Sequence, residues 1–261
     1  QMLVAAFPGR YVQGPDALTR LADELGRYGE KKLAIVDNAV RDRVARAVGD
    51  GLELIGVDAA CTWVTIETAR ALIRERGAQA VAGIGGGKVI DTARAAAFYE
   101  RTAFASVPTI VASDAPTSSL AVVYGEDGVV DRDLFVSRNP DLVLVDTALV
   151  VEAPVRFLIA GIGDALSTYF EARSARQSGA ANMVGGQSTG LAFSIATRCY
   201  QVIRQHGPMA VQHCAEGILS PSIEEVVEAN VLLSGLGFES SGVAAAHAIH
   251  HGLTTITTHH R

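Results

Sequence analysis

Gln79-Ala-Val-Ala-Gly83-Ile-Gly85-Gly86-Gly87-Lys88-Val-Ile-Asp91 is the stretch on which the fold turns. It opens on an apolar run of strand length and runs into four glycines within five positions. From Lys88 to Tyr99 the apolar residues recur at three and four spacing, the period of a helix lying on a sheet. A strand that turns through glycines into a helix sets unpaired N–H groups and the positive helix end in front of the turn, where a phosphate is favoured. Glycine lacks the Cβ atoms that would hold a pyrophosphate away, and Lys88 adds charge. The plainer reading is a tight strand-to-helix turn. A Walker A loop is excluded, because Ala82 stands where its first glycine belongs and Val89 replaces the Ser or Thr. The common dinucleotide fingerprint does not match either, since its acidic residue follows the glycines. Here the candidate, Asp37, precedes them.

Outward from this unit, short β-branched runs at 32–37, 52–57, 103–108 and 141–146 alternate with helical patterns at 38–48 and 66–76. This alternation predicts βα units around a mostly parallel sheet. Leu120 to Tyr124 and Val129 to Ser137, joined through Gly125 and Gly128, read as a hairpin. After Pro154 an alanine-rich helical pattern takes over, with helices expected at 155–174, 182–206, 223–235 and 243–252. The fold class is therefore α/β, with a βα domain at residues 1–152 followed by an all-helical domain at 153–261. Ligands favour the junction of two such domains. The helical half ends abruptly, so a further C-terminal part is expected to be missing.

With 261 residues, 49% hydrophobic and 19% charged, the chain is long enough for well-buried cores. Its net charge of -6 advertises no surface for nucleic acid. No apolar stretch approaches the roughly 18 to 20 residues of a membrane helix. Three scattered cysteines, Cys61, Cys199 and Cys214, make no disulfide framework, which fits a cytoplasmic protein.

Several residues are candidates for chemistry. Asp37 is placed to accept hydrogen bonds from an adenosine ribose and to repel a 2'-phosphate, or else to cap a helix. The segment from Thr109 to Leu120 gathers Thr109, Ser113, Asp114, Thr117, Ser118 and Ser119 directly after a strand, as a ligand loop or as polar surface. Asp164 lies in an otherwise apolar helical run and needs a partner such as a metal, unless Gly161 and Gly163 break the helix and Asp164 caps its second half. His247, His250 and His251 share one helical flank, a spacing at which imidazoles can share a cation. Position 248 is Ala, so this is no HExxH protease. Gly186-Gln-Ser188-Thr-Gly190 matches GxSxG formally, but no strand precedes it, as a nucleophile elbow requires.

Four blocks carry a resemblance: Gly85 to Arg94, Val107 to Tyr124, Ala160 to Arg173 and Ala244 to Thr255. Together they resemble the NAD-dependent glycerol dehydrogenases of the iron-containing, or group III, alcohol dehydrogenase superfamily, whose architecture is dehydroquinate synthase-like. The resemblance runs from Phe7 to the last residue, and it implies that residues 1–152 are a Rossmann-like dinucleotide-binding domain. It implies that Asp37, Gly86, Gly87, Lys88, Thr109, Ser113, Ser118, Leu120 and Tyr124 bind NAD. Asp114 matches a substrate-contacting aspartate. Asp164 and His247 match two of three protein ligands of a catalytic Zn2+, giving Asp114, Asp164 and His247 as the catalytic set in a metal-binding helical domain. The implied reaction is the reversible oxidation of glycerol to dihydroxyacetone. His251 departs from the Asn or Asp usual at its place, and the third ligand, in an HGEK-like stretch, falls beyond residue 261. His259 and His260 are not expected to replace it. The family commonly assembles as octamers, so a homo-oligomer is implied. Two rivals remain, a dehydroquinate synthase-like lyase that uses NAD transiently, and a non-catalytic NAD-binding fragment without the third ligand.

Overall fold

The computed structural model describes residues 2–253, except for the side chains of His250, His251 and Leu253. The chain forms two compact units, one of Pro8–Ile110 and Ser119–Val150, the other of Gln1–Phe7, Val111–Ser118 and Val151–Arg261. Residues 2–7 and 111–118, which a division at 152 gives to the first domain, thus group with the helices.

In the α/β unit the order is β1 (Tyr11–Gly14), α1 (Leu21–Gly26), β2 (Lys32–Asp37), α2 (Arg41–Val48), β3 (Glu53–Val57), α3 (Trp63–Arg76), β4 (Ala80–Gly85), α4 (Gly87–Glu100), β5 (Ala103–Pro108), β6 (Leu120–Tyr124), β7 (Val130–Phe135) and β8 (Leu142–Asp146). Six strands form a sheet in the order β1-β8-β5-β4-β2-β3, every pair parallel. β6 and β7 make the expected antiparallel hairpin. Strand β1 carries no sequence signal, because its four residues are all half-buried and include polar Gln13 and Gly14. Apart from Ser106 in β5 and the charged end residues Lys32, Asp37 and Asp146, the central strands are apolar because both faces are covered, as in a parallel sheet. Leu18, Leu21 and Leu25 pack with Val36, Ile84 and Leu144 on one face, and Ile73 and Ile90 with Leu33, Ile35 and Val81 on the other.

In this unit α2 and α3 each start three residues away from where the sequence places them, for local reasons. α2 begins at Arg41 rather than 38, because the Asp37 carboxylate accepts the Ala39 N–H at 2.9 Å and holds 37–40 in a turn. Asp37 is therefore a turn-former at a strand end, and Val40 takes the N-cap position. α3 begins at Trp63, three residues early, because Thr62 and Thr65 close a reciprocal capping box.

One buried ion pair ties the hairpin to α4. Arg94 and Asp91, one turn apart on α4, are 2% and 5% exposed and are hydrogen-bonded to each other. The other Asp91 oxygen accepts the Val122 N–H at 3.0 Å, and Arg94 donates to the Leu120 carbonyl. Burial pushes the Asp91 carboxyl up to about 6.

After α5 (Thr147–Glu152), the described elements are α6 (Val155–Ser178), α7 (Gly190–Ala215), α8 (Pro221–Glu228), a π-helical turn (Ala229–Leu233), α9 (Ser234–Ser241) and α10 (Ala245–Leu253). α6 runs unbroken through Gly161 and Gly163, so Asp164 sits in mid-helix and caps nothing. α7 starts at Gly190 rather than 182, where the Thr189 hydroxyl accepts the Ala192 N–H. Before that cap, Asn182 to Gln187 form a loop tied to residues 2–6: Gln187 donates to the Met2 carbonyl, and the Asn182 amide to that of Val4. The GxSxG match therefore has no strand before it and its serine is no nucleophile elbow. The helix expected at 223–235 is interrupted by the π turn.

Candidate active site

In the α/β unit, the switch point of the sheet lies between β2 and β4: the chain leaves β2 to one side for β3, then crosses to the other for β4 and β5. Crevices beyond the carboxyl ends of strands at such a point are where open α/β sheets bind ligands. β2 ends in Asp37 and β4 in Gly85, and their backbones are so close that a Cβ on Gly85 would lie 3.0 Å from that of Asp37. Gly86 occupies the N-cap of α4 without a side-chain cap, so the first amides of α4 have no intrahelical acceptor. A Cβ on Gly87 would meet no atom within 4 Å, and the space in front of the turn is open. Lys88 Nζ lies 5.2 Å from the centre of the Tyr124 ring, half-buried, with Leu120 at the other end of β6. The Thr109 N–H donates to the Gly85 carbonyl at 3.0 Å, which continues the β4–β5 pairing past Pro108. Asp37, Gly86, Gly87 and Lys88 thus share one end of the sheet, a cradle suited to a dinucleotide.

In the helical unit, glycines bring the 111–118 segment onto the helices. A Cβ on Gly161 would overlap the Val111 carbonyl and the Asn230 side chain, and one on Gly235 the Thr117 hydroxyl. Asn230, in the π turn, donates to the carbonyls of Val111 at 3.2 Å and Leu158 at 3.3 Å. The Thr117 hydroxyl donates to the Val231 carbonyl at 3.2 Å. Far from being polar surface, Asp114, Thr117 and Ser118 are buried, while Ser113 is half-exposed and the Ser118 hydroxyl donates back to the Ala115 carbonyl. The π turn also aims Ser234, which hydrogen-bonds Thr168 at 2.8 Å and lies 3.4 Å from Asp114 Oδ2. Gly235→Ala should therefore cost about 1–3 kcal/mol by overpacking. A urea unfolding midpoint equal to that of the wild type would show that the segment yields freely.

This packing sets Asp114 beside Asp164, whose Oδ2 accepts the Asp114 N–H at 3.0 Å. Asp114, Asp164 and His247 each offer a ligand atom, and these atoms lie within 4.8 Å of one another. Burial pushes both carboxyls up, and Asp164 raises Asp114 further. His247 moves to about 9, chiefly through its hydrogen bond to Glu171 and against the effect of burial. The buried Asp114 and the half-buried Asp164, converging on one imidazole, form a donor set that a divalent cation completes. The sequence reading passed over Glu171, which is 4% exposed and hydrogen-bonds His247 Nδ1 at 2.5 Å. Its one signal is its place seven residues after Asp164, on the same face of α6. The side chains of His250 and His251 lie outside the described residues, as do His259 and His260.

The family profile for iron-containing alcohol dehydrogenases matches residues 8–147. A glycerol dehydrogenase of Pseudomonas putida is 44% identical over 97% of this chain and 72% of its own length. The chain belongs to the iron-containing alcohol dehydrogenase family. A glycerol dehydrogenase of Thermotoga maritima is likewise 44% identical over 98% of this chain and 71% of its own length. The solved structure of a probable glycerol dehydrogenase from Sinorhizobium meliloti superposes with a TM-score of 0.94 at 40% identity, covering 98% of this chain and 72% of that one. This family member is thus an oxidoreductase with the α/β-plus-helical fold of its relatives, and none of its described helices is long and apolar enough to cross a membrane.

Proposed function

We propose that this enzyme oxidises glycerol reversibly to dihydroxyacetone with NAD, and that Asp164 and His247 hold a catalytic Zn2+. The observation that carries this reading is the convergence of Asp114, Asp164 and His247, in a chain similar over nearly its whole length to glycerol dehydrogenases. The donor set fits zinc, which takes imidazole nitrogen and carboxylate oxygen. When bound, Zn2+ supplies the Lewis acidity that lowers the pKa of an alcohol hydroxyl, and NAD supplies the hydride acceptor.

The chain's own groups position the reactants. Asp114 accepts a hydrogen bond from a second hydroxyl of the polyol and is itself oriented by Ser234. A vicinal diol therefore suits the site better than a simple alcohol. Gly86, Gly87 and Lys88 bind the pyrophosphate, Asp37 the adenosine ribose, and Thr109, Ser113, Ser118, Leu120 and Tyr124 complete the NAD site. Positioning of this kind supplies much of the rate. Work in the cytoplasm as a homo-oligomer is part of the same reading.

The test is NADH formation from glycerol and NAD by zinc-loaded protein, with and without a chelator. NADH that appears only with zinc supports the reading; its absence in both arms overturns it. Asp37 further sets the cofactor. Repulsion between its carboxylate and a 2'-phosphate should favour NAD over NADP at least about tenfold in kcat/KM, the factor carried by 1.4 kcal/mol. Equal turnover with the two cofactors would remove Asp37 from that role.

A further inference from the structure

We infer that Glu171 is the positioning residue for His247: it docks the N-terminus of α10 and fixes the imidazole so that only Nε2 is left to bind a metal. The inference rests on the metal-site reading above and names the residue that makes this site specific.

Glu171 lies two helical turns after Asp164 on α6, with Thr168 between them on the same buried face. Its carboxylate is shared among three donors of another element. Oε1 accepts the Ala244 N–H at 2.7 Å and the His247 N–H at 3.2 Å, and Oε2 meets His247 Nδ1 at 2.5 Å. One amide belongs to Ala244, the residue just before α10, and the other to His247 in its first turn, where N–H groups lack intrahelical acceptors and a carboxylate is favoured by the helix dipole. One side chain of α6 therefore caps α10 and holds the ring of the residue in its first turn. Phe238 stacks on the same ring, with centroids 5.8 Å apart and planes 19° apart, which limits its rotation.

The consequence follows from the chemistry of imidazole. A neutral ring carries one proton, and the nitrogen that keeps it cannot ligate. A carboxylate accepts and never donates, so it pins the proton on Nδ1 and leaves the lone pair on Nε2. Partners of metal-bound histidines of this kind typically carry 10–100-fold of metal affinity. The same contact means that α10 is docked and the ligand aimed by one carboxylate, so metal retention and order in the first turn of α10 are linked.

Glu171→Gln is the discriminating change because it preserves volume. Its carboxamide cannot accept from two backbone amides and from Nδ1–H at once. If the NH2 faces the ring, it favours the tautomer protonated on Nε2. If the oxygen faces the ring, the NH2 opposes the amides of Ala244 and His247. We expect the zinc dissociation constant, measured by competition with a chromogenic chelator, to rise about 10–100-fold. Amides 244–247 should exchange faster with deuterium, while NAD binding by fluorescence titration stays within twofold. Glu171→Asp keeps the charge and the acceptor-only chemistry and should recover part of the affinity. A Glu171→Gln protein that folds, binds NAD and holds zinc as tightly as the wild type overturns the inference. A wild-type protein that binds no zinc would instead remove the metal-site reading on which it rests.

Discussion

Asp164→Asn and His247→Ala should each lose at least about a hundredfold in turnover, because on the proposed reading each removes a direct metal ligand, where even outer partners carry 10–100-fold. The two changes act through different physics. Asp164→Asn preserves shape and still presents an oxygen to the Asp114 N–H, but it takes away a negative charge that burial makes effective. His247→Ala removes the nitrogen donor and leaves the Glu171 carboxylate with its two backbone donors alone. Zinc content per chain, read by mass spectrometry, should fall in both, while NAD affinity stays near that of the wild type. Near-normal activity of either variant in zinc-stripped buffer would exclude these residues as ligands. Loss of NAD binding along with zinc would point to a folding defect.

Arg94→Ala and Asp91→Ala should each destabilise the protein by about 3–5 kcal/mol, since breaking a buried pair leaves its partner charged and uncompensated. Both groups are almost wholly enclosed, and both reach into the β6 backbone, so either loss also strips an anchor from the hairpin. The pH dependence separates their roles. Asp91 titrates near 6 when folded, above its ordinary 3.8, because burial disfavours its charge. A raised carboxyl favours the folded state below its unfolded pKa, and that contribution is lost as the pH rises through the folded value. Wild-type stability should therefore carry a falling component between those two pH values that Asp91→Ala lacks. Urea midpoints measured across this range test both statements. Parallel pH curves for the two proteins would mean that Asp91 is already charged throughout.

The α/β half was largely legible because its signals are local. Five strands were expected within a residue or two of where they stand, since buried parallel strands must be apolar along their whole length. β1 escaped because a half-buried edge has no such requirement. The helical half was legible in kind more than in detail. Thr189 is an ordinary cap, whereas the π turn at 229–233 has no local mark and is set by the packing of Asn230 and Thr117. Whether Asp164 caps a helix or sits within one stayed open in the sequence, since two glycines nearby suit either. The reason for Gly161 is visible only where the Val111 carbonyl presses on it.

The parallel βα architecture, the glycine turn preceded by Asp37 at the end of an earlier strand, and the family are all legible along the chain, because periodicity, turn chemistry and motif order are local. Tertiary structure alone decided that Asp114 stands beside Asp164 and His247, that Gly161 and Gly235 make room for it, and that Glu171 holds the imidazole. Those contacts join residues up to 133 positions apart. Only the packing of α6, α9, α10 and the 111–118 segment brings their charges close enough to act on one another.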